Sequence, residues 1–292
     1  NHLRICVEEG LDAVTAIRMA TLNAAECFDL KDRGAIAPGY RADVVLLDDL
    51  KDFHVNRVFI QGALVAEEGK YIPEIKRYDI STVKGSVIVK DFSAEKFKMH
   101  LKSNKVNVIK ILPGGVVTAK DTAEIQLDEK GEFVRNPEED IVKVAVVERH
   151  QGTGNVACGF LKGYGIKAGA VALSIAHDSH NIIVVGVSDE EMEFAVNSLI
   201  AQEGGMVLVK EGKVIESMPM PIAGLMSDQS GEWVDEKLTA IHAKAYEELG
   251  IAGDVEPVMT LCFMSLAVIP EVKLTDMGLF DVTTFSFIPV EA

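Results

Sequence analysis

The 292 residues include 29 basic and 45 acidic side chains, a formal charge of −16. That charge is repelled by nucleic-acid backbones and anionic membrane surfaces, so neither is expected as a partner. Apolar residues make up 48% and charged residues 25%, enough for sizeable cores, and no apolar run approaches the roughly 18 residues of a membrane span. The four cysteines, Cys6, Cys27, Cys158 and Cys262, lie far apart with no C-x-x-C pair. This excludes a zinc knuckle or a disulfide framework and predicts a reducing, cytoplasmic setting.

Residues 2 to 28 read as two helices broken at Gly10, with Asp12 as N-cap of the second. Ala13, Ala16, Ile17, Ala20 and Ala24 give that second helix an apolar face. The chain opens at Asn1 in what reads as the middle of a helical region, so a fragment of a longer chain is expected. Apolar surface is then expected over residues 1 to 30, and with it self-association into a homo-oligomer or aggregate. Next come a Pro38-Gly39 turn and a buried strand over ADVVLLD. Residues 55 to 71 predict a hairpin, VFI then ALVA, turning at Gln61-Gly62.

From residue 76 the pattern predicts an α+β domain. Strands are expected at 83–90, 105–112, 115–127, 141–150, 156–162, 169–176, 181–187 and 205–216. Ser188 and Glu191 form a capping box ahead of a helix whose apolar face is Met192, Ala195, Val196 and Leu199. A second helix is predicted over 231–249, with Val234, Leu238, Ile241, Ala245 and Leu249 on one side and Gly250 ending it. The tail from Val258 is expected to begin as a strand and end irregularly. Trp233, Met218, Met220 and Met226 read as core or interface, and Cys158 and Cys262 as small core residues.

RGAIAPGYRADVVLLDD, residues 33 to 49, resembles the segment that follows the catalytic barrel in the amidohydrolase superfamily. Gly34, Ile36, Pro38, Gly39, Ala42 and Asp43 carry the match. ERHQGTGNVACGFLKGYGIKAGAVALSIAHDSHNIIVVG, FMSLAVIPEVKLTDMGLFDV and the opening AIRMATLNAAECF resemble the C-terminal half of the adenine deaminase family. The resemblance implies an α+β fold in three parts. Residues 1–32 would end a (β/α)8 barrel, 33–75 would belong to a small β-sandwich, and 76–292 would form the α+β C-terminal domain. It also implies a metal-dependent conversion of adenine and water to hypoxanthine and ammonia, with manganese or iron in the full-length enzyme. The family's metal centre uses an H-x-H pair, a carboxylate, two further histidines and an aspartate of the barrel. This sequence contains no H-x-H, so no catalytic residue or metal ligand is assigned to it. A non-catalytic purine- or partner-binding module is the alternative.

Two polar stretches are candidates for substrate contact. AHDSHN brings His177, Asp178, His180 and Asn181 together before an apolar run. Such groups can pair with the edge of a purine from the mouth of an active site. His177 and His180 with a carboxylate could instead hold a metal, or the stretch could be a plain turn with Asp178 and Ser179 bonding their own backbone. If extended, alternation puts residues 178 and 180 on one face and 177, 179 and 181 on the other. RHQGTGN sets His150, Thr153 and Asn155 around two glycines, either a loop that approaches a ligand or a hairpin turn. His2, His54, His100 and His242 are expected to stand apart from any site.

Overall fold

A computed structural model describes residues 1–292. The chain divides into two compact units, Asn1–Tyr78 and Asp79–Ala292. Their elements are mixed α and β, with sheets predominating over a few helices. No helix is long and apolar enough to cross a membrane.

The first unit opens with α1 (His2–Glu8), α2 (Ala13–Arg18) and α3 (Ala24–Cys27). Asp12 caps α2 as its position predicts, its Oδ2 accepting the Thr15 N–H at 2.9 Å. The single helix expected from the spacing is interrupted by a π-helical turn at Met19–Asn23. A four-stranded sheet follows in sequence order: β1 (Val44–Leu47), β2 (Val55–Ile60), β3 (Ala63–Glu67) and β4 (Lys70–Tyr71). The predicted β2–β3 hairpin is present. Gln61 at φ 52 and Gly62 at φ 79 form the left-handed two-residue turn that matches strand twist. The buried strand predicted at VVLL is a strand but not a buried one, with Val45 52% and Leu46 43% exposed. An apolar run identifies a strand, but burial also needs a second layer packed on it.

The second unit contains β5 (Lys105–Ile111), β6 (Thr118–Glu124), the short pair β7 (Gln126–Leu127) and β8 (Phe133–Val134), β9 (Ile141–Val147), β10 (Val156–Lys162), β11 (Ala170–Leu173) and β12 (Ile182–Gly186). Helix α4 (Asp189–Ala201), β13 (Gly205–Lys210), β14 (Lys213–Pro219), α5 (Gly231–Glu247), α6 (Pro257–Cys262), β15 (Val272–Thr275), β16 (Gly278–Asp281) and β17 (Ser286–Phe287) complete it. Eight strands form one sheet in the order β14-β13-β11-β12-β9-β10-β5-β6. Its pairs are antiparallel except β5 with β10.

β9, IVKVAVV, is buried along its length because both faces of the sheet are covered. Val142, Val144 and Val146 face a core shared with Ile241 and Ala245 of α5 and Leu261 of α6. Ala145 and Val147 face the opposite core, against Met192, Ala195, Val196 and Leu199 of α4. That is the face the helical spacing nominates, and the Ser188 hydroxyl accepts the Glu191 N–H at its start. Lys143, the one charge inside β9, is neutralised by Asp189 at 2.6 Å and donates to the Phe97 carbonyl at 2.9 Å.

The second unit also departs from the sequence expectations. Residues 83–90 form no strand: Gly85 takes φ 66, and the segment bonds the sheet through Ile88 N–H to the Arg149 carbonyl at 2.8 Å. The strand expected at 205–216 is the β13–β14 hairpin, turning at Glu211 (φ 52) and Gly212 (φ 66). The apolar run after Glu256 is helix α6, begun by a Glu256 cap and Pro257 in its first turn. The tail expected to be irregular is the β15–β16 hairpin.

Candidate functional site

At one end of the sheet the C-terminal ends of β9 and β11 meet the N-terminal ends of β10 and β12, as the pairs Val147↔Val156, Val147↔Ile182 and Leu173↔Ile183 require. The loops that join these strands, 148–155 and 174–181, therefore emerge side by side. They hold every candidate residue named from the sequence.

Glu148 organises the first loop. Its buried carboxylate accepts the backbone N–H groups of His150, Gln151 and Thr153 and the Thr153 hydroxyl, at 2.5–3.1 Å. Burial raises the carboxyl pKa, but these donors outweigh it and hold it down to about 2. The Glu148 N–H bonds the Asn155 carbonyl at 3.0 Å and closes the loop.

Arg149 organises the second. Its side chain is fully buried and meets no carboxylate. It donates to the backbone carbonyls of His180, Ser174 and Ala223 and, at 3.5 Å, of Ser86. This clamp leaves no room behind it: a Cβ on Gly224, which sits at φ 70, would lie 2.6 Å from the guanidinium.

The 174–181 segment is not extended. Residues 177–179 turn, and His180 takes φ 53. Strand alternation therefore does not sort these side chains. The His177 N–H bonds the Cys262 carbonyl at 2.7 Å, and its ring stacks on Phe263 with centroids 4.9 Å apart. Asp178 bonds the His177 Nδ1, and the Ser179 hydroxyl accepts the Asn181 N–H at 3.4 Å. His177 and Asp178 are exposed, Asn181 is buried and His180 lies between. Burial, then the positive charge of Arg149, lowers the His180 pKa and so favours the uncharged imidazole.

The two loops touch. His150 Nε2 lies 2.7 Å from the Ser179 carbonyl oxygen, and the Arg149 N–H reaches the Asn181 side-chain oxygen at 3.4 Å. Asp276, in the turn between β15 and β16, takes one amide from each: Asn181 Nδ2 at 3.2 Å and Asn155 Nδ2 at 3.4 Å. Glu148, Arg149, Phe263 and Asp276 were not nominated from the sequence. Glu148 and Arg149 fall within the strand expected over 141–150. Asp276 lies 95 and 121 positions from its partners, a separation that periodicity cannot bridge.

The residues present do not fit a metal ion. No three His, Cys, Asp or Glu side chains are grouped to hold one, and Asp178 already engages the His177 Nδ1. Of the other histidines, His54 and His100 pair with Asp48 and Glu132 at 2.6 and 2.8 Å, and His242 pairs with Glu256. Burial pushes the thiols of Cys158 and Cys262 up to about 12, so neither is a nucleophile near neutral pH.

Residues 115–286 match the family model of the adenine deaminase C-terminal domain, and residues 1–65 match that of the amidohydrolase family. The chain belongs to the adenine deaminase C-terminal domain family. It is 66% identical over 292 residues to adenine deaminase 2 of Desulfotalea psychrophila, a match that spans 100% of this chain and 51% of that protein. It is 50% identical over 291 residues to an adenine deaminase of Ligilactobacillus salivarius, spanning 100% of this chain and 50% of the relative. An adenine deaminase of Nitratidesulfovibrio vulgaris is 46% identical over 290 residues, 99% of this chain and 50% of its own. The chain thus spans about half the length of the curated relatives it matches.

Proposed function

We propose that this chain is the C-terminal half of an adenine deaminase, which hydrolyses adenine to hypoxanthine and ammonia, and that the 148–155 and 177–181 loops form a wall of its active site. The observation that carries the activity is the identity of 66% across the whole chain to an adenine deaminase. In this reading residues 1–32 are the end of a (β/α)8 barrel, 33–75 part of a small β-sandwich, and 76–292 the C-terminal domain. The metal that the amidohydrolase relationship suggests is manganese or iron, in a cytoplasmic enzyme that self-associates. No step is assigned to that metal, because no group of side chains in this chain fits one.

What this chain contributes is a shaped, polar surface. The His180 imidazole, its uncharged form favoured by burial, can accept or donate one hydrogen bond, as adenine can along its edge. The His177–Phe263 stack offers a flat aromatic ledge beside it, suited to the face of a purine. His150 and Asn155 supply further polar groups from the neighbouring loop.

Turnover of adenine by the intact enzyme tests the activity directly, and its absence would overturn it. His180→Ala in that enzyme is expected to lower kcat/KM for adenine at least about tenfold, the cost of one lost hydrogen bond to substrate. An unchanged kcat/KM would remove the loop from the active site. The 292-residue chain alone, with manganese added, is expected to be inactive; turnover by it, abolished by His177→Ala, would mean a complete site lies within these residues.

A further inference from the structure

We infer that Asp276 is a positioning residue that locks the 148–155 and 177–181 loops into a single surface; its consequence for catalysis rests on the reading that this surface faces substrate. The two loops leave the sheet from different strand pairs, and the direct links between them run through the His150 ring, the Arg149 backbone N–H and the Arg149 guanidinium, which donates to the His180 and Ser174 carbonyls. Asp276 adds a third element, the β15–β16 turn, and joins the loops through side chains. Its Oδ1 takes the Asn181 amide and its Oδ2 takes the Asn155 amide.

The chemistry fixes the sense of this arrangement. An ionised carboxylate only accepts, so both asparagines must turn their NH2 groups toward it. Asn181 is then used at both ends, its oxygen taking the Arg149 N–H at 3.4 Å while its nitrogen serves Asp276. Asn155 is left with its oxygen unclaimed by Asp276, which can only point away from the carboxylate. One buried arginine, two amides and one carboxylate thus set the orientation of the polar groups offered at this end of the sheet. Hydrogen bonds to a charged group are stronger than neutral ones, which makes a carboxylate the effective acceptor for two amides at once.

The geometry allows a swap test in the intact enzyme. In Asp276→Asn the new side chain keeps one oxygen for Asn181 but opposes its own NH2 to that of Asn155. In Asn155→Asp two carboxylates oppose each other. In the double variant the amide at position 276 donates to the carboxylate at position 155 and still accepts from Asn181, so the network closes again with its charge moved. Amide hydrogen exchange at His177 and His180, whose N–H groups bond the Cys262 and Ala176 carbonyls, reads the loop itself. Steady-state kinetics with adenine read its consequence. Each single variant is expected to speed exchange and to lower kcat/KM about tenfold or more, and the double variant to restore both. Restoration by the swap is a result that general destabilisation would not give. Unchanged exchange in Asp276→Asn, or no recovery in the double variant, would overturn the inference. Exchange that speeds and recovers while kcat/KM stays constant would leave Asp276 as the lock and overturn instead the assignment of this surface to the active site. Should Asp276→Asn fail to fold, Asn155→Ala removes one arm of the same node and carries the same two readouts.

Discussion

The first unit buries three hydrophobic residues, Ala16, Ala25 and Phe53, whereas in the second β9, β11 and β12 are buried from end to end. Both units use the same local devices: left-handed hairpin turns, capped helices, carboxylates that collect backbone N–H groups. The difference is in the layers. The central sheet of the second unit carries helix α4 on one face and α5, α6 and the β15–β16 hairpin on the other. In the first unit Phe28 is 76% exposed and Val14 65%. Turns and caps are set by a few adjacent residues, but a core needs two apolar faces brought together. The candidate site lies on the unit that has one, where its loops are held from behind.

Core truncations are expected to separate the units most widely. Leu173→Ala removes a fully buried side chain at the end of β11, next to the site loop. It is expected to cost about 2–5 kcal/mol in urea unfolding of the second unit. Phe28→Ala, with its ring already in water, is expected to change stability by less than about 0.5 kcal/mol. A cost for Phe28→Ala as large as for Leu173→Ala would break the contrast and show that Phe28 is covered in the working protein.

The carboxylate turns sharpen the comparison. Asp49 collects the N–H groups of Lys51, Asp52, Phe53 and His54, and Glu148 those of His150, Gln151 and Thr153. Both pKa values are lowered, Asp49 by its backbone donors and Glu148 to about 2. Asp49 is only partly covered and water competes for it; Glu148 is buried. A depressed carboxyl contributes stability that is full above its ordinary value near 4.5 and is lost as the pH falls through its folded value. Acidification from about pH 4.5 to 2 is therefore expected to cost the second unit on the order of 3 kcal/mol through Glu148. Glu148→Gln should flatten that part of the stability–pH profile. Asp49→Asn should have the smaller effect. If both variants gave the same pH dependence, burial would not be what distinguishes them.

Much of the scaffold was legible in the sequence, and the reasons are local. Helix α4 has its Ser188 cap and four apolar residues at helical spacing, and β9 is an almost unbroken apolar run. The β13–β14 turn at Glu211-Gly212 has the same X-Gly form as the turn at Gln61-Gly62, so Gly212 carries a turn signal that the single strand expected over 205–216 runs through. The short apolar run of α6 has no periodicity long enough to separate helix from strand, and the Glu256-Pro257 start was the signal that could have settled it. At the site, His150, Asn155, His177, Asp178, His180 and Asn181 stand out by residue type. The residues that hold them did not. Glu148 and Arg149 act through burial, and Asp276 acts across a distance in sequence that only the assembled sheet closes.

The smallest expected effect isolates what packing adds to a helix cap. Ser188 and Asp12 do the same work, each accepting an N–H three residues on, at 3.3 and 2.9 Å. By geometry alone Asp12 makes the better cap. Helix α4 nevertheless buries Met192, Ala195, Val196 and Leu199, while α2 buries only Ala16. A frayed first turn in α4 loosens a packed face, so Ser188→Ala should be felt in global unfolding at about 1 kcal/mol. In α2 the same loss can be absorbed by local fraying, with little packed surface disturbed. Asp12→Ala should therefore raise amide exchange in the first turn of α2 while leaving the global transition nearly unmoved. Equal shifts in global unfolding for the two variants would mean that the hydrogen bond, and not the packed face behind it, sets the worth of a cap in this protein.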